Sequence, residues 1–114
     1  MQFATFHDLE DQSVFITGGG SGIGADLTKG FLSQGAKVTF VQRSNPEKFL
    51  AECEGKYKYE PTFIKCDVSH IEELKIALQT TAKEQGAVTV LVNNAANDTR
   101  HTLDEFTSQQ WDPV

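Results

Sequence analysis

Five glycines fall within the seven positions from Gly18 to Gly24, in the run Phe15-Ile16-Thr17-Gly18-Gly19-Gly20-Ser21-Gly22-Ile23-Gly24. Glycine loses more backbone freedom on ordering than any other residue, so a cluster this dense implies a task. One task is to hold a phosphate: backbone N–H groups must come close to it, at a helix N-terminus whose dipole favours negative charge. Side chains would obstruct that approach. The alternatives are a flexible linker and a tight turn without a ligand. A linker fits poorly, because an apolar β-branched run precedes the cluster and a helix-like run follows it. The phosphate loop of nucleotide kinases closes on Gly-Lys-Ser/Thr, which Gly24-Ala25-Asp26 does not supply.

The elements that must position this turn alternate in kind. Val14–Thr17, Lys37–Val41, Thr62–Lys65 and Val88–Val92 are short, β-branched and aromatic, and read as strands of a parallel sheet covered on both faces. Helices are expected over Gly22–Gln34, with Ile23, Leu27, Phe31 and Leu32 on one side, and over Pro46–Lys56, with proline in the first turn. A third helix follows Ser69, read as an N-cap that forms a capping box with Glu72. Its apolar face is Ile71, Leu74, Leu78 and Ala82, and Gly86 ends it as Gly35 ends the first helix. Strand–helix alternation with short connections predicts a doubly wound α/β fold with a parallel sheet and right-handed crossovers. Four strands and three helices are a βαβαβαβ unit, about half of a two-part Rossmann-type fold. A loop and a short helix around Asp104–Gln110 are expected after it.

With 114 residues the chain fits one domain, and 39% hydrophobic against 23% charged residues is a globular balance. A net charge of −6 without a basic stripe argues against nucleic-acid binding. No apolar run is long enough for a membrane span, and the N-terminus lacks the basic flank of a signal peptide. Cys53 and Cys66 have no metal-like spacing and read as buried thiols in a reducing compartment, so a cytoplasmic location is expected. His7 and His70 stand alone in the sequence, without ligand spacing.

Thr17-Gly18-Gly19-Gly20-Ser21-Gly22-Ile23-Gly24 resembles TGxxxGIG, the fingerprint of the short-chain dehydrogenase/reductase family. Three further matches follow in that family's order. Cys66-Asp67-Val68-Ser69 resembles its DV pair at the end of the third strand, and Asn93-Asn94-Ala95-Ala96 resembles its NNAG motif. Trp111-Asp112 stands where the family often has W-D. The stretch Asn97-Asp98-Thr99-Arg100-His101 looks like the branch that oxidises aldose sugars at C1, the pentose dehydrogenases, although His101 also reads as a surface loop residue.

The resemblance implies a nicotinamide dinucleotide as cofactor. Gly18, Gly22 and Gly24 would wrap its pyrophosphate, with Gly20, Ser21 and Ile23 contributing contacts in the same turn. Asp67 would accept from the adenine amino group and the Val68 amide would donate to the ring; the plainer reading of Asp67 is a charge at a helix start. Asn94, with Ala95 beside it, would border the nicotinamide side, while Asn93 would brace the sheet. At the end of the second strand, Gln42-Arg43-Ser44 offers no acid to bind the ribose hydroxyls and repel a 2′-phosphate. Arg43 could instead pair with that phosphate, aided by Ser44, so NADP is favoured and NAD stays open.

The family's chemistry rests on Tyr-x-x-x-Lys. Here Tyr57 is followed four residues on by Pro61 and Tyr59 by Phe63, so neither makes that motif. The chain therefore reads as a single dinucleotide-binding domain over residues 1–114 that stops before the catalytic half, with no catalytic residue of its own. The longer protein would transfer hydride between nicotinamide and a sugar or other carbonyl compound, and would assemble as a homo-oligomer through late helices. The alternative is a stand-alone nucleotide-binding or interaction half-domain without catalysis.

Overall fold

The computed structural model describes residues 7–20 and 22–94. After a 3-10 turn at His7–Leu9, the chain runs β1 (Ser13–Thr17), α1 (Gly22–Ser33), β2 (Lys37–Gln42), α2 (Glu47–Cys53), β3 (Thr62–Lys65), α3 (Ile71–Gln85) and β4 (Val88–Asn93). The four strands are parallel and lie in the order β3-β2-β1-β4. The doubly wound α/β arrangement expected from the sequence is therefore the one observed.

Alternation along the central strands sends side chains to two cores. Val14, Ile16, Val38 and Phe40 pack with Leu32 of α1 and Phe49 and Cys53 of α2. Phe15 and Val41 face the other way, onto Cys66 and onto Leu74, Ala77 and Leu78 of α3. Thus α1 and α2 cover one face and α3 the other. The chain steps outward through β1, β2 and β3 under the first pair, then returns past β1 to β4 under α3. Reversing both direction and face keeps one handedness for all three crossovers, as parallel sheets require.

Several local expectations need correction. The buried stripe of α1 is Gly24, Thr28 and Leu32, not a stripe containing Ile23, which is 73% exposed. Spacing by four keeps those three residues over the sheet, and Ile23 falls a step outside them. α2 is shorter than expected: it begins after Pro46, where the Asn45 side chain accepts the Glu47 N–H, and ends at Cys53. On α3, Ala77 and Thr81 are buried and Ala82 is exposed. The capping box is absent as well. His70 occupies the N-cap without a side-chain cap bond, and Asp67 Oδ1 takes the Ser69 N–H that Glu72 would have to accept.

The helix stops behave as read. Gly35 N–H donates to the Leu32 carbonyl and Ala36 N–H to that of Phe31, the paired bonds of a Schellman turn. Gly86 closes α3 at positive φ. Both cysteines are buried free thiols, one in each core, and burial pushes the Cys66 thiol up to about 11. Among the described residues no helix is long and apolar enough to cross a membrane.

Candidate functional site

The strand order turns outward in opposite directions on either side of β1, so a crevice opens beyond the carboxyl ends of β1 and β4. In open α/β sheets that switch point is where ligands bind. The glycine turn lies there. Gly18 N–H still pairs with the Val41 carbonyl at 2.7 Å, which carries the β1–β2 ladder into the turn. The backbone then leaves the sheet with positive φ at Gly18 (70°) and Gly22 (54°), a region that penalises any side chain.

The glycines divide the work. A Cβ at Gly24 would strike the Gly18 carbonyl and lie 2.7 Å from the Asn94 side-chain amide, so its absence lets α1 abut the turn. A Cβ at Gly19 would strike Phe40 and Thr28, and one at Gly20 would meet the Gln42 amide. At Gly22 a Cβ would meet nothing within 4 Å among the described residues, so the space beside that backbone is open. This is a cradle that side chains would fill, and the residues present fit a diphosphate. Ile23 is exposed at the same helix start.

Thr28, in the second turn of α1, fixes the cradle from below. Its buried hydroxyl lies 2.9 Å from both the Gly19 and Gly24 carbonyls. From the far side, Asn94 Nδ2 donates to the Gly18 carbonyl at 3.2 Å. The Asn94 N–H donates to the Thr17 hydroxyl, which in turn donates to Asn93 Oδ1 at 3.0 Å. Asn93 therefore braces β4 to β1, as expected. At the end of β2, Gln42 Oε1 accepts the Gly20 N–H, and its Nε2 reaches Ser44.

The fourth wall carries the charge. Arg43 is an exposed side chain with its Nη1 3.8 Å from Asp67 Oδ2, a solvated pair of little energetic weight. The Ser69 hydroxyl and N–H hold the Asp67 carboxyl below the usual carboxylate range. Glu73 accepts the Asp67 N–H at 3.0 Å and lies 3.0 Å from His70 Nδ1, so its own carboxyl is lowered, chiefly by that N–H. Glu73, with Asp67 beyond it, raises the His70 imidazole. His70 is thus not solitary, as the sequence suggested, but sits between two carboxylates. Val68 packs against the α3-side core.

The structure therefore brings Gly18, Gly20, Gly22, Ile23, Gly24, Arg43, Ser44, Asp67, Val68 and Asn94 to one end of the sheet. Ser21, Ala95, Ala96, Asn97–His101, the helix expected at Asp104–Gln110 and Trp111-Asp112 lie outside the described residues. Thr28, Gln42, Glu73 and His70 were not picked out for this site by sequence. Their partners are carbonyls, amides and carboxylates, and only folding brings most of them near.

At the opposite end of the strands lies an open cleft of about 520 Å³, lined by residues including Glu10, Gln34, Gly35, Tyr57 and Lys58. Both tyrosines are at that end. Tyr59 donates to Asp11 Oδ1 at 2.6 Å, a bond that raises its phenol, the opposite of what a proton-transferring tyrosine needs. Among the described residues no group of three or more His, Cys, Asp or Glu side chains is arranged for a metal ion.

Sheet order, double winding and a glycine turn at the switch point define a Rossmann-type α/β chain. The profile of the short chain dehydrogenase family matches residues 12–114. "Probable galactose dehydrogenase GalD" of Rhizobium meliloti is 44% identical over 110 residues, covering 94% of this chain and 43% of that protein. "D-xylose 1-dehydrogenase" of Caulobacter vibrioides is 42% identical over 113 residues, 98% of this chain and 44% of that protein. Among solved structures, a short-chain dehydrogenase from Novosphingobium aromaticivorans superposes with a TM-score of 0.66 at 31% identity, over 73% of this chain and 31% of that one. One from Mycobacterium ulcerans gives 0.70 at 25%, over 80% and 34%. The chain belongs to the short chain dehydrogenase family. It spans less than half the length of these relatives.

Proposed function

We propose that this chain is the dinucleotide-binding portion of an NAD(P)-dependent oxidoreductase that acts on an aldose at C1. The observation that carries the reading is the cradle itself: Gly18 to Gly24 at the switch point, open over Gly22 and closed from behind by Thr28 and Asn94. The galactose and xylose dehydrogenases above support the sugar as substrate class. When bound, the nicotinamide supplies the hydride-accepting or hydride-donating carbon. The chain's part is to bind and orient. The glycine turn takes the diphosphate, Asp67 and Val68 take the adenine edge, and Asn94 marks the nicotinamide side.

Arg43 and Ser44 at the end of β2 favour NADP over NAD, since no carboxylate stands there to repel a 2′-phosphate. Arg43 is exposed, and its only charge partner among the described residues is the loose contact with Asp67. It is thus available to a phosphate, which would outcompete that contact through charge-assisted hydrogen bonds. Titrating the chain with NADP and with NAD, before and after Arg43→Ala, tests this. The wild-type preference for NADP should fall about tenfold, a loss of ~1.4 kcal/mol typical of one charged hydrogen bond; an unchanged ratio refutes it.

A second reading, a nucleotide-binding half-domain without catalysis, is favoured by one fact: no Tyr-x-x-x-Lys occurs in the 114 residues. The reading frame after Val114 separates the two. An open frame encoding Ser and then Tyr-x-x-x-Lys supports the oxidoreductase, and a stop codon supports the half-domain. A cytoplasmic location and a homo-oligomeric assembly belong to the first reading.

A further inference from the structure

One side chain joins the glycine turn to the end of β2. Gln42 Oε1 accepts the Gly20 N–H at 2.9 Å, while Nε2 lies 3.0 Å from the Ser44 carbonyl and 3.2 Å from Ser44 Oγ. A primary amide can accept on one side and donate on the other, so a single group ties both segments. The fit is close, since a Cβ on Gly20 would lie 2.5 Å from Gln42 Oε1. The Gly20 amide is thereby engaged by a neutral acceptor, on the same turn as the open backbone at Gly22.

An ionised phosphate oxygen is a stronger acceptor than a carboxamide, and charge-assisted hydrogen bonds are about twice as strong as neutral ones. A diphosphate settling into the turn therefore competes with Gln42 for the Gly20 N–H. Once Oε1 is displaced, the amide at the other end of that side chain loses its fixed position against Ser44. We infer that Gln42 is a positioning residue through which occupancy of the glycine turn by a diphosphate is transmitted to the Arg43–Ser44 segment. Binding linkage makes the effect mutual: a ligand at Ser44 alters the turn by the same factor. This rests on the reading of the turn as a diphosphate cradle.

The test uses the 15N-labelled chain with inorganic pyrophosphate as probe, followed by NMR. The backbone amides of Gly18, Gly20 and Gly22 should shift, together with the Gln42 side-chain NH2 and the Ser44 amide. In Gln42→Leu the turn should still respond while Ser44 no longer does. Without any ligand, Gly20 amide exchange should quicken at least tenfold in Gln42→Leu, and change less than threefold in Gln42→Glu, whose carboxylate still accepts. Turn amides that shift while Gln42 and Ser44 stay fixed overturn the inference, as does a Ser44 response undiminished in Gln42→Leu. Turn amides silent toward pyrophosphate overturn the cradle reading, and the coupling falls with it.

Discussion

Thr28 carries a hydroxyl into a fully buried position, where it serves the Gly19 and Gly24 carbonyls. Thr28→Val keeps the shape and removes the donor, leaving a buried carbonyl of the turn without that partner. Chemical denaturation should show a loss of roughly 1–3 kcal/mol, with the slope unchanged. His70 makes a prediction about pH. Its imidazole is raised above 6.5 by Glu73 and then Asp67, so its share of stability is complete below the unfolded value. That share is lost as pH rises through the folded value. Glu73 and Asp67, both lowered, contribute above 4.5 and 3.8 and lose that contribution as pH falls through their folded values. An NMR titration should place the His70 midpoint above 6.5 and return it toward 6.5 in Glu73→Gln; equal midpoints would show that the pairing is not made. At this scale the glycine turn was legible, because the positive φ at Gly18 and Gly22 suits few other residues. Gln42 and Thr28 were not, since nothing in a glutamine 22 residues from Gly20 signals the bond.

Among the elements, α3 shows how a helix is tied to a sheet beyond its apolar stripe. Gln85, its last residue, places Nε2 2.9 Å from Ser13 Oγ and 2.9 Å from the Lys37 carbonyl, and Oε1 accepts the Thr39 hydroxyl at 2.9 Å. Ser13 and Thr39 are buried, so they depend on this amide for their partners. Gln85→Leu should cost about 3 kcal/mol in equilibrium unfolding, whereas an exposed-face change such as Lys83→Gln should cost under ~0.5 kcal/mol. Equal costs would remove the tie. The existence and order of the elements could be read from β-branched runs and helical spacing. The start of α3 could not: Ser69 and Glu72 have the spacing of a capping box, but Asp67 Oδ1 accepts the Ser69 N–H at 3.0 Å, the donor that Glu72 would need. Side-chain caps compete locally, and spacing alone does not say which acceptor is nearer.

Across the whole molecule, the two ends of the strands are unlike. The carboxyl ends carry the glycine turn and Asn94, and the amino ends carry the Glu10, Asp11, Lys58 and Tyr59 cluster beside the open cleft. The proposed division of labour predicts that the purified 114-residue chain shows no hydride transfer from galactose, xylose or other aldoses to NADP or NAD. Turnover in a spectrophotometric assay would contradict it. Double winding was implied by the alternation of elements, because parallel crossovers of one hand leave few arrangements, but the strand order itself was not read from it. The charge cluster around Asp67 was not legible either, since it joins residues from the segment after β2, the β3–α3 turn and α3.

The bond from Asn94 to the Gly18 carbonyl spans 76 residues of chain. Its consequence is temporal. Closing so long a loop is entropically slow, and parallel pairings between distant strands form late in folding. As the chain leaves the ribosome, β1 and the turn emerge first and wait for β4 before their rear wall exists. The cradle thus lacks its rear wall until β4 pairs with β1, so a chain that has not yet made that pairing presents no completed binding turn.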